Sequence, residues 1–181
     1  MTLNLRLEYH TAYGEDLYVV VGATKEKAYP MTYVGNATWS ATLKLSASEE
    51  LCYRYEVRYG DSVIRKEWCD KHRMVIDKKA ANIRIIDRWA DMPEDRSFHS
   101  SMFTDGVFAR PARKKAQAVA NGTLTIRADV ASVRSNQSLV LVGDSKALGN
   151  WNVEKGVKLT DAQFPIWSAR LKAPKAPFAY K

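Results

Sequence analysis

One stretch of this chain occurs twice, and the repeat constrains the fold more than any other feature. Leu3-Asn4-Leu5-Arg6 lines up with Leu124-Thr125-Ile126-Arg127. Without a gap, Val19-Val20-Val21-Gly22 lines up with Val140-Leu141-Val142-Gly143, again at an offset of 121. Trp39-Ser40-Ala41-Thr42-Leu43-Lys44 then matches Trp167-Ser168-Ala169-Arg170-Leu171-Lys172 at an offset of 128. Such self-similarity implies one structural unit used twice. The second copy carries seven extra residues between its glycine and its tryptophan, a span that includes Leu148-Gly149-Asn150-Trp151. A Trp straight after Gly-Asn in a loop is hard to bury. It serves either as a cap over a core edge or as a flat platform for a ligand.

Each copy reads as β structure. Leu3, Leu5, Leu7 and Tyr9 alternate with polar residues, the period of a half-buried strand. Leu17 to Val21 is a short apolar run stopped by Gly22. Trp39, Ala41, Leu43 and Leu45 alternate again. Leu51 to Tyr59, the turn Gly60-Asp61 and Ser62 to Trp68 form a hairpin. Met74-Val75-Ile76 and Asn82 to Ile86 finish the unit near Trp89. Many short strands without an amphipathic helix predict an all-β, immunoglobulin-like antiparallel β-sandwich in two tandem copies. Residues 1–89 form the first, 90–121 a linker, and 122–181 a second that is truncated. Within the linker, Met102, Phe103, Val107 and Phe108 are expected to pack back on a domain. By the first copy's measure Tyr180-Lys181 aligns with Tyr53-Arg54, in mid-unit. We therefore expect a fragment of a longer protein, or a second unit completed by another chain. An unpaired strand there would invite self-association.

The formal charge of +8 favours anions. Its one cluster, Arg110, Arg113, Lys114 and Lys115, has no aromatic neighbours to stack bases, so it reads as a solvated linker and no nucleic acid is expected. Cys52 and Cys69 are too few for a disulfide framework or a four-ligand zinc site, and read as two reduced thiols; a single bridge across neighbouring strands is the other reading. No stretch has the length of a signal or a membrane span, so a cytoplasmic location without membrane partners is the expectation. His10, His72 and His99 lie in unrelated contexts, and Glu49, Glu50, Asp91, Glu94 and Asp95 read as surface acids. No nucleophile motif, phosphate-binding loop or metal cluster is present, so no catalytic residue, metal or cofactor is expected. Trp39 and Trp167, at matching strand positions, read as core.

Gly143 with Leu148-Gly149-Asn150-Trp151, then Phe164-Pro165-Ile166-Trp167-Ser168-Ala169 and Phe178-Ala179-Tyr180-Lys181, resembles the starch-binding domains of carbohydrate-binding module family 20. In the first copy Tyr13-Gly14-Glu15, Val19 to Gly22, Trp39-Ser40-Ala41, Tyr53-Arg54-Tyr55 and Glu67-Trp68 fall in the same order, without the Leu-Gly-Asn-Trp loop. The resemblance implies β-sandwiches that bind α-1,4-glucan: starch, glycogen or maltooligosaccharide. A tandem pair with Phe98 to Asp105 between is similar to the front end of 4-α-glucanotransferases, which implies a catalytic domain as a further partner.

The resemblance also implies site residues. One site pairs two Trp platforms with a Lys. Trp151 takes the loop position and Lys181 the Lys position, with the partner Trp expected beyond residue 181. In the first copy Trp68 takes the second platform position and Arg54 the Lys position, and Tyr29 stands in for the absent loop Trp. A second site uses the Tyr before Gly-Glu, which is Tyr13, with Tyr33 as partner. Arg134 occupies that position in the second copy, so the site is lost there.

Overall fold

The computed structural model describes residues 1–46, 49–68, 71–91, 96–110 and 117–181. Cys69, Glu94, Asp95, Arg113, Lys114 and Lys115 lie outside the described residues. The chain divides into two compact units, Met1–Pro93 and Glu94–Lys181.

The first unit contains β1 (Thr2–Glu8), β2 (Glu15–Val21), β3 (Lys27–Pro30), β4 (Thr32–Gly35), β5 (Thr38–Lys44), β6 (Glu50–Tyr59), β7 (Ser62–Lys66), β8 (His72–Val75) and β9 (Asn82–Arg88). One sheet has the order β4-β5-β1-β9, in which β9 runs parallel to β1. The other has the order β3-β2-β6-β7, and β8 pairs with the opening residues of β6. Alternation puts Leu3, Leu5, Leu7, Leu43, Ile83 and Ile85 inside from one sheet. Leu17, Val19, Tyr53, Tyr55 and Val57 are buried on the other. Two antiparallel-rich sheets with buried alternating residues make a β-sandwich.

The long strand β6 changes partners in its middle. Its first residues face β8 and its last face β7. Tyr55 sits at the change-over, and its N–H donates to Glu67 Oε2 at 2.8 Å instead of to a strand. The buried Glu67 carboxylate also accepts from the Ala90 N–H at 2.9 Å and lies 3.0 Å from His72 Nε2. Three partners make this buried carboxylate tolerable. Nearby, the Tyr53 and Tyr55 hydroxyls both donate to Asp87 Oδ2, at 2.7 and 3.0 Å. Burial first, then the Asp87 charge, pushes the Tyr55 phenol well above its usual range. Cys52 is a free, buried thiol.

The second unit contains β10 (Thr123–Asp129), β11 (Val140–Leu141), β12 (Val157–Lys158), β13 (Thr160–Gln163) and β14 (Ile166–Lys172). They form a β10-β14-β13 sheet and a β11-β12 pair. The register of β10 on β14 reproduces that of β1 on β5. Leu7 faces Trp39, and Ala128 faces Trp167. The Trp39 indole donates to the Tyr9 carbonyl at 3.2 Å, and the Trp167 indole to the Val130 carbonyl at 2.9 Å. Both indoles are buried, so both need that partner.

Before β10 lie a 3₁₀ turn at Arg96–His99 and a six-residue π-helix at Met102–Val107. Phe98, Phe103 and Phe108 pack with Val133, Phe164 and Trp167 in the second unit's core. Met102 and Val107, expected to pack as well, are exposed instead. Their positions fall on the outer side of the π-helix, and the phenylalanines take the inner side. Arg110 is not a solvated linker charge. Its side chain is 4% exposed, its guanidinium lies 4.6 Å from the Trp167 ring centre, and it donates to the carbonyls of Gln137 and Val133. Among the described residues no helix is long and apolar enough to cross a membrane.

Candidate functional site

In the second unit the chain leaves β11 after Leu141, passes Gly143 and coils through a 3₁₀ segment, Lys146–Trp151. Leu148 is buried and anchors this loop. Its N–H and that of Asn150 both reach the Ser145 carbonyl, at 2.9 and 3.1 Å. Gly149 then reverses the chain at φ 77°. A Cβ there would stand 2.8 Å from the Lys155 carbonyl carbon, so the position needs glycine twice over. Asn150 and Trp151 continue in the left-handed region at φ 48° and 65°. A bulky aromatic rarely adopts that conformation, and such residues collect where a surface is built for function. The Trp151 N–H donates to the Gly143 carbonyl at 2.8 Å, which fixes the backbone. Its side chain is 51% exposed. The loop therefore leaves about half of this residue open to solvent. Lys146, Gly149, Asn150, Asn152 and Lys155 line an open depression beside it, with a volume near 350 Å³.

Gly143 also brings the last residues to this loop. It pairs with Tyr180, and Val142 and Lys181 exchange both backbone bonds at 3.0 and 2.8 Å. Trp151 and Lys181 are thus joined through two neighbouring residues. The register differs from the sequence alignment by one step. Lys181 faces Val142, whereas the residue facing Val21 in the first unit is Tyr53 and Arg54 faces Val20. Lys181 therefore takes the pairing position of Tyr53. Gly143 permits the close approach that sets this register, since a Cβ there would stand 2.4 Å from the Ala179 carbonyl oxygen.

In the first unit Trp68 stands on the anchored Glu67. Its N–H donates to the Ala90 carbonyl at 2.9 Å, and its side chain is 45% exposed. Arg54 lies on β6 next to Tyr55 but is engaged elsewhere. Its two terminal nitrogens grip Glu26 at 2.7 and 2.8 Å, and Lys71 reaches the same carboxylate at 2.8 Å. Arg54 first, then Lys71, holds the Glu26 carboxyl down at about 2. Glu26 sits just before β3, in the short connection that replaces the second unit's long loop. An ion cluster thus occupies what the longer loop gives to an aromatic. Tyr29, on β3, is only partly buried, and Lys27 Nζ lies 5.1 Å from its ring centre.

Tyr13 projects fully into solvent from the turn between β1 and β2. That turn is braced, because the Glu15 N–H donates to the Ala12 carbonyl and the Ala12 N–H to Glu15 Oε2 at 2.8 Å. Tyr33 lies on the edge strand β4, exposed and edge-on to Trp39 at 5.4 Å. Its hydroxyl accepts the Ala37 N–H at 3.2 Å. Trp39 itself is buried, with its indole tied to Tyr9, so it is a support and not a contact. Arg134 is exposed in the second unit. The anchoring role of Leu148 and the polar lining around Trp151 went unread in the sequence. Asn150 and Asn152 flanking the Trp were the available signal.

The Starch binding domain family model matches residues 123–181. The 4-alpha-glucanotransferase DPE2 of Oryza sativa subsp. japonica is 22% identical over 204 residues, covering 100% of this chain and 22% of that relative. A cyclomaltodextrin glucanotransferase of Klebsiella oxytoca is 42% identical over 40 residues, or 22% of this chain and 6% of that relative. The chain thus spans less than a quarter of the length of either. Among solved structures it is similar to the glycoside hydrolase family 15 glucoamylase of Hypocrea jecorina, with a TM-score of 0.44 and 18% identity over 50% of this chain and 17% of that one. The Hormoconis resinae glucoamylase gives 0.42 and 25%, over 51% and 18%. The likeness to the starch binding domain family thus falls on the second unit, over residues 123–181, the segment that carries the Trp151 loop.

Proposed function

We propose that these residues are non-catalytic α-glucan-binding modules that dock a 4-α-glucanotransferase onto its polymer. The observation that carries this is Trp151: exposed, held on left-handed backbone, and inside the segment that matches the starch binding domain. An α-1,4-glucan is neutral and hydrated, and its apolar handle is the C–H face of each glucose. A flat ring under that face removes apolar area from water, at roughly 25 cal/mol per Å². The Asn and Lys side chains around the depression supply hydrogen bonds to the hydroxyls. The expected affinity per site is weak, about −4 to −8 kcal/mol, and two modules on one polymer gain from avidity. In this reading Trp151 and Lys181 serve the second unit, and Tyr13, Tyr33 and Trp68 the first. Starch, glycogen and maltooligosaccharide are the ligand class, the protein works in the cytoplasm, and the glycosyl transfer belongs to a catalytic domain outside residues 1–181.

The pairing of Arg54 with Glu26 favours a second reading for the Trp68 region alone. With its guanidinium engaged, that region would serve as scaffold and not as a sugar site. Calorimetry with β-cyclodextrin tests both. Binding that is nearly independent of salt and weakened by Trp151→Ala supports the docking role. No binding to β-cyclodextrin or glycogen would end it, and steeply salt-dependent binding to DNA or RNA would favour a nucleic-acid partner instead.

A further inference from the structure

Tyr59 closes β6 at the same end of the first unit as Tyr13. The register of β2 on β6 sets Tyr59 opposite Glu15, one residue beyond Gly14. Gly14 has φ 82°, and a Cβ there would stand 2.8 Å from Tyr59 Cε2 and 3.5 Å from Cδ2. The tyrosine ring therefore lies where a side chain at position 14 would be. Even so, Tyr59 is 63% exposed, so much of its ring is open to solvent. Tyr13 immediately precedes Gly14 and is wholly exposed. Neither support is loose. The Tyr13 turn is braced through Ala12 and Glu15, Arg65 holds the Glu15 carboxylate, and Tyr59 pairs with Ser62 across the Gly60-Asp61 turn. Two tyrosines on braced supports thus stand open to water beside the same turn, with Gly14 following Tyr13 in the chain and lying against the Tyr59 ring.

We propose that Tyr59 is a further sugar-contacting residue, and that with Tyr13 it contacts separate, non-adjacent glucose units of one α-1,4-glucan chain. This rests on the α-glucan reading above. Glycine at position 14 is then part of the site, because only an absent side chain lets the second ring lie against the turn. A ring at each end of a short run of glucose makes the surface sensitive to chain length. On this proposal maltose engages one ring and maltoheptaose engages both.

The test uses the full chain carrying Trp68→Ala and Trp151→Ala, so that the tyrosine end supplies the binding. Adding Tyr59→Ala should weaken maltoheptaose binding about eightfold, as expected for about 50 Å² of ring face at about 25 cal/mol per Å². Maltose binding should change less, Tyr59→Trp should restore affinity, and the unfolding midpoint should stay in place. Gly14→Ala, which displaces the ring, should mimic Tyr59→Ala in binding, while its positive φ also lowers the unfolding midpoint. If Tyr13→Ala removes binding while Tyr59→Ala leaves it intact, the inference falls and the α-glucan reading stands. A loss on Tyr59→Ala that tracks a fall in its unfolding midpoint would likewise reduce Tyr59 to packing. If the unmutated chain fails to bind, the reading beneath it falls as well.

Discussion

The two units carry the same strand pair and mount different surfaces on it. β1 on β5 and β10 on β14 share one register, one buried Trp and one indole-to-carbonyl bond. The connection after the matching glycine then diverges. After Gly22 the chain turns at once, and Glu26 is gripped by Arg54 and Lys71. After Gly143 it anchors Leu148, reverses at Gly149 and displays Trp151. A sandwich register is set by buried alternation, which cannot change without moving every side chain to the wrong face. A loop at its edge is free to gain seven residues, since longer loops add little closure entropy. The shared part is therefore the part that folds, and in the proposed function the divergent part is where sugar contact would differ.

The comparison can be broken first at its shared element. Trp39→Ala and Trp167→Ala should each destabilise their own unit by about 3–5 kcal/mol in denaturant unfolding. A small cost at either one would show that equal register does not mean equal role. The divergent loop is the next target. Gly149→Ala should cost about 1–3 kcal/mol through its φ of 77° and the Lys155 carbonyl. It should also lose the ordered Trp151 signal in near-ultraviolet circular dichroism, while the first unit keeps its unfolding midpoint. Arg110→Ala sharpens a feature found in the second unit. It should cost about 1–3 kcal/mol, because the Val133 and Gln137 carbonyls lose a charged donor.

The smallest effect is electrostatic and belongs to the first unit. The Glu26 carboxyl is depressed from 4.5 to about 2 in the folded chain. A depressed carboxyl contributes stability above its unfolded value and loses it as pH falls through the folded one. Wild type should therefore exceed Glu26→Gln in stability near pH 6, and the gap should close between about pH 4.5 and pH 2. The carboxylate is partly exposed, so the gap should be small and should shrink further in salt.

Much of this contrast was legible in the sequence, for reasons that differ by element. The paired strands could be read because apolar alternation and a constant offset survive in the residues themselves. The β6–β7 turn at Gly60-Asp61 was legible from turn chemistry. β3 and β4 escaped notice, since Lys27–Pro30 and Thr32–Gly35 are short, mostly exposed edge strands with weak alternation. The π-helix and the burial of Arg110 depend on where Phe98, Phe103 and Trp167 meet in space, which no local pattern records. For the sites, the exposure of Trp151 followed from its loop position, whereas Tyr13 and Tyr33 entered only through the family resemblance. The partners of Arg54 did not, because Glu26 lies 28 residues away.

The most direct test of the central claim is a calorimetric titration of β-cyclodextrin into the wild-type chain and its Trp151→Ala and Trp68→Ala variants. The divergent loop as sugar platform requires Trp151→Ala to weaken binding about tenfold or more, a loss of about 1.4 kcal/mol, with the fold intact. Trp68→Ala should cost less. Unchanged binding by a folded Trp151→Ala variant would contradict the account.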